Sequence, residues 1–373
     1  MKDLDSVCQL RTLKANSMHL LIVNTEKSWR GGERQTLHNA VGFMQQGVLV
    51  ELLCRTGSPL AGKARSAGIQ VHEVGGTIRT FWWIARHAAR YDLIQAQTAK
   101  SQTAAVIAKP FHGRPVVYTR RVNFIPRGWL TRLKYKKTDC VVAISCSVKR
   151  VLEAFGIHNV HVIYDAVVPQ ELNKQRAVDV FTKLHIGGKK VVATIAAIDQ
   201  DKDPFTMVEA IKKLSLLRSD FVFLHFGDGP LKQQVQQRVD ALGLHDRYIL
   251  MGFIADVEDM FSLLDLFCIS SREEGLCSSV LDAFAYHVPV VSTNAGGLAE
   301  LVDGRGFLCD VGDFEGIALG IDQILENPSA FNVLTDAAYH YVVSQHSLQV
   351  TTKQYLDLFR VLIDGVDTYD SLA

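Results

Sequence analysis

No run of 18 or more apolar residues occurs in this 373-residue chain, so nothing in it reads as a transmembrane helix. The first 17 residues are mixed polar and charged and lack the apolar core of a signal peptide. Cysteine is sparse: seven residues, an odd number, lie scattered without Cys-x-x-Cys spacing. That argues against a disulfide frame or a zinc site and for reduced thiols. The expected location is the cytoplasm, with room for peripheral attachment to the inner face of a membrane. Internal repeats and low-complexity tracts are missing too. Acidic residues are absent from one long stretch, since Leu93 to Thr138 holds ten Lys or Arg and no Asp or Glu. The remainder carries 30 basic and 39 acidic residues, so the net charge of +1 hides a segregation. One positively charged face is expected, suited to an anionic membrane surface; no nucleic-acid partner is expected.

What is present is a soluble globular composition, 48% hydrophobic and 21% charged, in a chain long enough for two domains. Short apolar runs alternate with segments of helical period: His19 to Asn24, Val48 to Cys54, Val71 to Val74, Asp92 to Gln95, Pro115 to Thr119, Val141 to Ile144 and Val160 to Tyr164. This alternation predicts a doubly wound α/β domain. A second series runs from Val191 to Ile198 through Phe221 to Phe226, Tyr248 to Met251, Leu263 to Ile269 and Val288 to Val291. Between the two series the chain is polar, contains Pro169 and shows no long periodic segment. The expected division is a first domain over 1–170, a linker over 171–188, a second domain over 189–345 and a terminal helical segment over 346–373.

Chemistry concentrates between Ser271 and Glu300. An apolar strand leads into a loop with Glu273 and Glu274, then a helix near Ser278, a strand led in by Pro289, and the glycine pair Gly296-Gly297. Ligands sit beyond the C-terminal ends of such parallel strands, and backbone N–H groups at the loop-to-helix junctions point at anions. Seven residues separate Glu274 from Asp282, placing one carboxylate in the loop and the other a turn inside the helix. In the first half, Gly31-Gly32 between a strand and a helix lets the backbone approach a phosphate, or makes a plain tight turn. The loop is not a Gly-x-Gly-x-x-Gly, which counts against a dinucleotide enzyme. Arg120-Arg121 ends a strand and suits bidentate capture of an acceptor phosphate or carboxylate, or a solvated pair. Arg127 to Lys137 reads as a basic helix with Trp129, Leu130 and Leu133 on one side, fit to lie on an anionic bilayer or to pack on the sheet.

The Glu274-x7-Asp282 spacing, Glu274-Gly275-Leu276, Pro289-Val290-Val291, Gly296-Gly297 and Glu300 together resemble the Glu-x7-Glu signature of family 4 glycosyltransferases. These have the two-domain GT-B fold. Trp29-Arg30-Gly31-Gly32-Glu33-Arg34-Gln35 resembles their donor-facing loop, and Gly227-Asp228-Gly229-Pro230 their turn near the nucleotide. The resemblance implies a retaining, metal-independent transferase with no cofactor beyond its nucleotide-diphosphate sugar. It puts Glu274 on the donor sugar, Asp282 on the ribose and Lys202 on the diphosphate. It also puts Gly31, Gly32, Gly227, Gly229, Gly275, Leu276 and Cys277 around the donor. Terminal helices of such folds cross back to the first domain. The implied acceptor is a glycan or lipid-linked molecule of bacterial surface-polysaccharide or lipopolysaccharide assembly. The chain departs from the pattern at several places: Asp282 is Glu in the family, His287 is usually Gly, Ala197 stands where an arginine should accompany Lys202, Gln95-Ala96-Gln97 replaces a His-x-His, and Asp165-Ala166 replaces an Asn-Gly. A nucleotide-sugar epimerase of the same fold and a non-catalytic nucleotide-sugar-binding protein are the alternatives, which fold alone does not separate. Asp199-x-Asp201 matches a short metal-binding string but lies in the wrong domain, and no metal is assigned.

Overall fold

A computed structural model describes residues 18–365, and expectations for residues 1–17 and 366–373 lie outside them. The first sheet has seven strands: β1 His19–Asn24, β2 Leu49–Arg55, β3 Gln70–Val74, β4 Leu93–Ala96, β5 Val116–Arg120, β6 Cys140–Ala143 and β7 Val160–Val162. The second has six: β8 Lys190–Ile195, β9 Phe221–Phe226, β10 Tyr248–Gly252, β11 Leu266–Ile269, β12 Val290–Thr293 and β13 Phe307–Cys309. All pairings are parallel, in the orders β3-β2-β1-β4-β5-β6-β7 and β10-β9-β8-β11-β12-β13. Strands such as β9 are buried along their whole length, because helices cover both faces of a parallel sheet. In each sheet the strand order reverses once, between β1 and β4 and between β8 and β11. The two crevices at these reversals are where doubly wound sheets hold ligands.

The expected strands are present with ends shifted by one to a few residues. The run from Leu263 is shorter than its apolar length suggests, since Val257–Leu263 is a 3₁₀ segment and β11 starts at Leu266. The stretch 171–188, expected as a linker, contains a ten-residue helix, Lys174–Lys183. Asn173 caps it by accepting from the Arg176 N–H, and Ala177 and Phe181 join the apolar cluster that includes Val191, Val222 and Met260. Only a few apolar residues are needed to hold so short a helix, which hides it among polar neighbours.

The chain crosses between domains twice, and the two passes lie side by side. The Val167 N–H donates to the His346 carbonyl at 2.7 Å, and Val167 pairs with Ser347 in a parallel bridge. Gln35 clamps the first pass, donating to the Ala166 carbonyl at 2.7 Å and accepting from its N–H at 3.0 Å. After the second pass, the helix Leu348–Asp364 packs on the helix Gly31–Gln45 of the first domain. Phe43 meets Tyr355 and Phe359 with ring centres 5.9 and 5.5 Å apart, and a Cβ at Gly42 would run into Thr352.

His38, His225 and His346 are held neutral by burial, the last two being fully enclosed. His225 donates from Nε2 to the Ala196 carbonyl at 3.3 Å, so its Nδ1 accepts from the Tyr248 hydroxyl at 2.8 Å. Nδ1 of His346 donates to the Asp165 carbonyl at 2.9 Å beside the crossover. His38 lies by Arg34 with Nδ1 unpartnered. Burial pushes each imidazole down to about 4, with Arg34 adding to the effect at His38. Unfolding releases them to the ordinary range near 6.5. The unfolded chain therefore binds more protons than the folded one between these values, and stability falls as pH drops through that window. Each histidine contributes a slope of roughly 1 kcal/mol per pH unit there. Urea midpoints measured at pH 7.5 and pH 5 should differ by several tenths of a molar or more, and His225→Gln should flatten the difference. Equal midpoints would contradict the neutral state assigned to these residues.

Candidate active site

The cleft between the domains is built at the two strand-order reversals. From the second domain, the loop after β8 brings Lys202 and the loop after β11 brings Glu274. Ser270 Oγ donates to the Lys202 and Asp203 carbonyls at 3.0 and 2.9 Å, and the Arg272 N–H donates to the Asp201 carbonyl at 2.8 Å. Arg272 also pairs with the buried Asp203 carboxylate at 2.7 Å, which caps the helix Pro204–Leu217. These bonds fasten the two loops together and set Lys202 Nζ against Glu274 Oε1 in an ion pair, with Ser271 Oγ donating to the same oxygen at 3.1 Å. Burial alone would lower the Lys202 pKa; the Glu274 carboxylate overcomes this and raises it.

Asp282 lies in the helix Ser278–Ala285 and is also buried, but its partner comes from the other domain. Arg34, in the first turn of Gly31–Gln45, donates from Nη2 to Asp282 Oδ2 at 2.7 Å and from Nη1 to Glu258 Oε1 at 2.8 Å. Burial pushes the Asp282 carboxyl up, and Arg34 opposes that shift. For Arg34 burial acts to lower the pKa, and the two carboxylates reverse this and hold the guanidinium above its usual value. The domains touch directly around this pair. A Cβ on Gly31 would lie 2.9 Å from Ser278 Oγ, and one on Gly275 would collide with the Arg121 carbonyl. On the same seam the Cys146 N–H donates to Glu300 Oε1 at 2.9 Å, and Asn123 accepts from Ser147 beside Gly296.

The remaining expected residues sort by position. Gly227 and Gly229 let the turn after β9 lie on the backbone of Ala196 and Ile198, where any Cβ would collide. Leu276 and Cys277 are buried at the start of the Ser278–Ala285 helix, and burial, then the nearby Glu274, pushes the Cys277 thiol up to about 12. Gly32 faces the Arg121 side chain. Arg121 is at the cleft, with Nε on Asp165 at 3.2 Å, Nη1 donating to Gln97 Oε1, and Nη2 buried without a partner. Its charge is met by Asp165 in this structure, as that of Lys202 is by Glu274. Arg120 does not reach the cleft. It is buried, and donates to the Tyr135 hydroxyl at 2.5 Å and to the Phe124 carbonyl. The pairing of adjacent arginines as one acceptor site is therefore corrected: successive residues at a strand end point to opposite faces. The sequence left Arg34, Glu258 and Asp165 unassigned. Arg34 stands directly after Gly31-Gly32-Glu33, a local signal; Glu258 and Asp165 have none.

The paired carboxylates and cations suit a polyhydroxylated, anionic ligand, since carboxylates accept from hydroxyls and ammonium or guanidinium donate to phosphate. Comparison with known proteins agrees. Residues 29–171 match the profile of Glycosyltransferase Family 4, and residues 176–341 that of Glycosyl transferases group 1. The chain is 30% identical over 181 residues to 2-deoxystreptamine N-acetyl-D-glucosaminyltransferase of Niallia circulans, covering 48% of this chain and 46% of that protein. It is 28% identical over 246 residues to the lipopolysaccharide core biosynthesis glycosyltransferase LpsE of Rhizobium meliloti, covering 61% of this chain and 66% of that one. The matched stretch thus spans about half to two thirds of these relatives' length. The crystal structure of Anabaena HepE in complex with UDP and glucose superposes with a TM-score of 0.81 at 20% identity, covering 91% of this chain and 99% of that one. Two parallel-sheet domains, a cleft at both strand-order reversals and two consecutive family profiles converge, and the chain belongs to the family 4-type glycosyltransferases of GT-B fold.

Proposed function

We propose that this chain transfers a sugar, with retention of anomeric configuration, from a nucleotide-diphosphate donor to a glycan or lipid-linked acceptor. The proposed setting is bacterial surface-polysaccharide or lipopolysaccharide assembly, which the likeness to LpsE supports. The observation that carries the reading is the Lys202–Glu274 pair held between the loops after β8 and β11. Sugar hydroxyls donate to Glu274, which fixes the ring. Lys202 donates to the diphosphate and offsets the charge that grows as the glycosidic bond breaks. The N-terminus of the Ser278–Ala285 helix adds its partial positive charge on the same side. Acceptor hydroxyl and leaving phosphate lie on one face of the sugar, and the departing phosphate takes the hydroxyl proton. This scheme uses no metal ion and no covalent enzyme intermediate.

Release of nucleoside diphosphate from UDP-, GDP- and ADP-sugars, with and without a lipopolysaccharide-type acceptor, tests the scheme. Lys202→Ala should lower kcat/KM by about 2–4 kcal/mol of transition-state stabilisation. Glu274→Gln should depress turnover while nucleotide affinity stays within about threefold, because a neutral amide still fills the site but accepts more weakly from hydroxyls. A sugar epimer formed with no acceptor present would instead mark an epimerase. A donor bound and never consumed would mark a binding protein.

The acceptor side supports a membrane-associated setting. Val122, Phe124, Ile125, Trp129, Leu130 and Leu133 are all exposed, Trp129 at 73%, along the loop after β5 and the helix Trp129–Lys136. Arg127, Arg132, Lys136 and Lys137 are exposed among them. Of the two packings open to this helix, the structure turns its apolar side outward. No helix among the described residues is long and apolar enough to cross a membrane. We assign the patch to the surface of an anionic bilayer, where each basic residue contributes on the order of 1 kcal/mol, screened by salt. In flotation assays the protein should rise with phosphatidylglycerol vesicles and not with neutral ones. The fraction bound should fall with ionic strength and in Trp129→Ala/Leu130→Ala. Equal partitioning to neutral vesicles would remove the assignment.

A further inference from the structure

Arg34 has no role in the scheme above, yet it is the cation that joins the two halves of the cleft. It sits on the first domain and contacts Asp282 and Glu258 of the second. One turn earlier on its helix, Gly31 abuts Ser278, the first residue of the Ser278–Ala285 helix. The guanidinium is therefore beside a junction of two helix N-termini, both suited to anions. Its Nε is buried with no hydrogen-bond partner, a donor still to be matched.

Hydrogen-bond chemistry decides what such an arrangement accepts. A carboxylate only accepts and a guanidinium only donates. A nucleoside diphosphate brings ribose hydroxyls that donate and phosphate oxygens that accept. It satisfies both members of the Arg34–Asp282 pair when it comes between them, hydroxyls to Asp282 and phosphate to Arg34. The Lys202–Glu274 pair offers the same exchange to the sugar and the diphosphate. Without a cation released to it, a diphosphate brought beside Asp282 and Glu258 meets like charge, which disfavours binding in a desolvated site.

We infer that Arg34 is a diphosphate-binding residue supplied by the first domain, leaving Asp282 and Glu258 for the donor's phosphates. The inference rests on the nucleotide-sugar reading and extends it to a residue of the other domain. A clasp that only competed for Asp282 would act in the opposite direction, since its removal would free the carboxylate for ribose.

Calorimetric titration of UDP, GDP, ADP and CDP, and of the matching monophosphates, separates these cases. If the wild-type protein binds none of the eight, the nucleotide-sugar reading fails and the inference with it. Given a diphosphate that binds, Arg34→Ala should weaken it by about tenfold or more, the loss of one charge-assisted contact. Arg34→Lys should recover part of that loss, and keeps the test available should Arg34→Ala fold poorly. The matching monophosphate should lose less than the diphosphate. Arg30→Ala, four residues earlier at the N-cap of the same helix, should cost less than Arg34→Ala. Glu258→Gln, which removes a competitor for Arg34 and no cation, should tighten the diphosphate. Diphosphate affinity equal to or tighter than wild type in Arg34→Ala, or a larger loss in Arg30→Ala, would overturn the inference and leave the nucleotide-sugar reading standing.

Discussion

Charge carried into the seam between two domains must be matched, because desolvated ions cost several kcal/mol each when left alone. The cleft of this chain is organised by that requirement. Lys202 meets Glu274, Arg34 meets Asp282 and Glu258, Arg121 meets Asp165, and Arg272 meets Asp203. Four cations thus face five carboxylates within one crevice, and each pair also fixes a loop or a domain. Arg272 on Asp203 fastens the loop that carries Lys202. Arg121 on Asp165 ties the end of β5 to the first interdomain pass. Replacing such pairs by apolar residues would not weaken a fold in general. In the Lys202–Glu274 and Arg34–Asp282 pairs, cation and carboxylate together offer an incoming ligand contacts of both signs.

Such trading needs domains that part and rejoin without losing register. The two passes of the chain provide this at one end, where Val167 is bonded to His346 and Gln35 holds Ala166 on both of its backbone groups. At the other end, contacts between the domains are polar or made through glycine: Gly31 on Ser278, Gly275 on the Arg121 carbonyl, Cys146 on Glu300. Yet one apolar cluster continues from Ile144 and Val148 of the first domain to Leu276 and Leu298 of the second. Separation about the crossover therefore exposes both apolar surface and ion pairs, and a ligand must offset both. A ligand that takes over the ion-pair contacts supplies the polar part of that compensation.

Legibility in the sequence followed the range of the interaction. Parallel strands covered on both faces are continuous apolar runs, so β9, whose Phe221–Phe226 is buried throughout, was plain in the sequence. The site loops were legible because backbone geometry leaves local marks. Gly227, Gly229 and Gly275 stand where a neighbouring chain comes too close for a Cβ. The Lys174–Lys183 helix was not legible, since Ala177 and Phe181 are its only buried residues. Arg120 was misread for a simple reason: adjacency in sequence at the end of a strand is opposition in space. Least legible were the ion pairs across the cleft. Arg34 and Asp282 are 248 residues apart, and no local periodicity or turn signal records that they meet.

Among the departures from the family pattern, Asp282 reads by itself as a loss, a shortened carboxylate. The geometry gives it a reason. Arg34 reaches Asp282 at 2.7 Å while Gly31, one turn away, already abuts Ser278, so the two helices cannot separate locally without losing that contact. A glutamate at 282 would add a methylene to a filled space, and overpacking of this kind is accommodated only by moving side chains or backbone. Aspartate is thus the acidic residue that fits the distance between these helices when an arginine stands opposite. An arginine brought that close from the first domain sets a positive charge beside the N-termini of both helices. On this reading one long-range pairing accounts for the aspartate at 282.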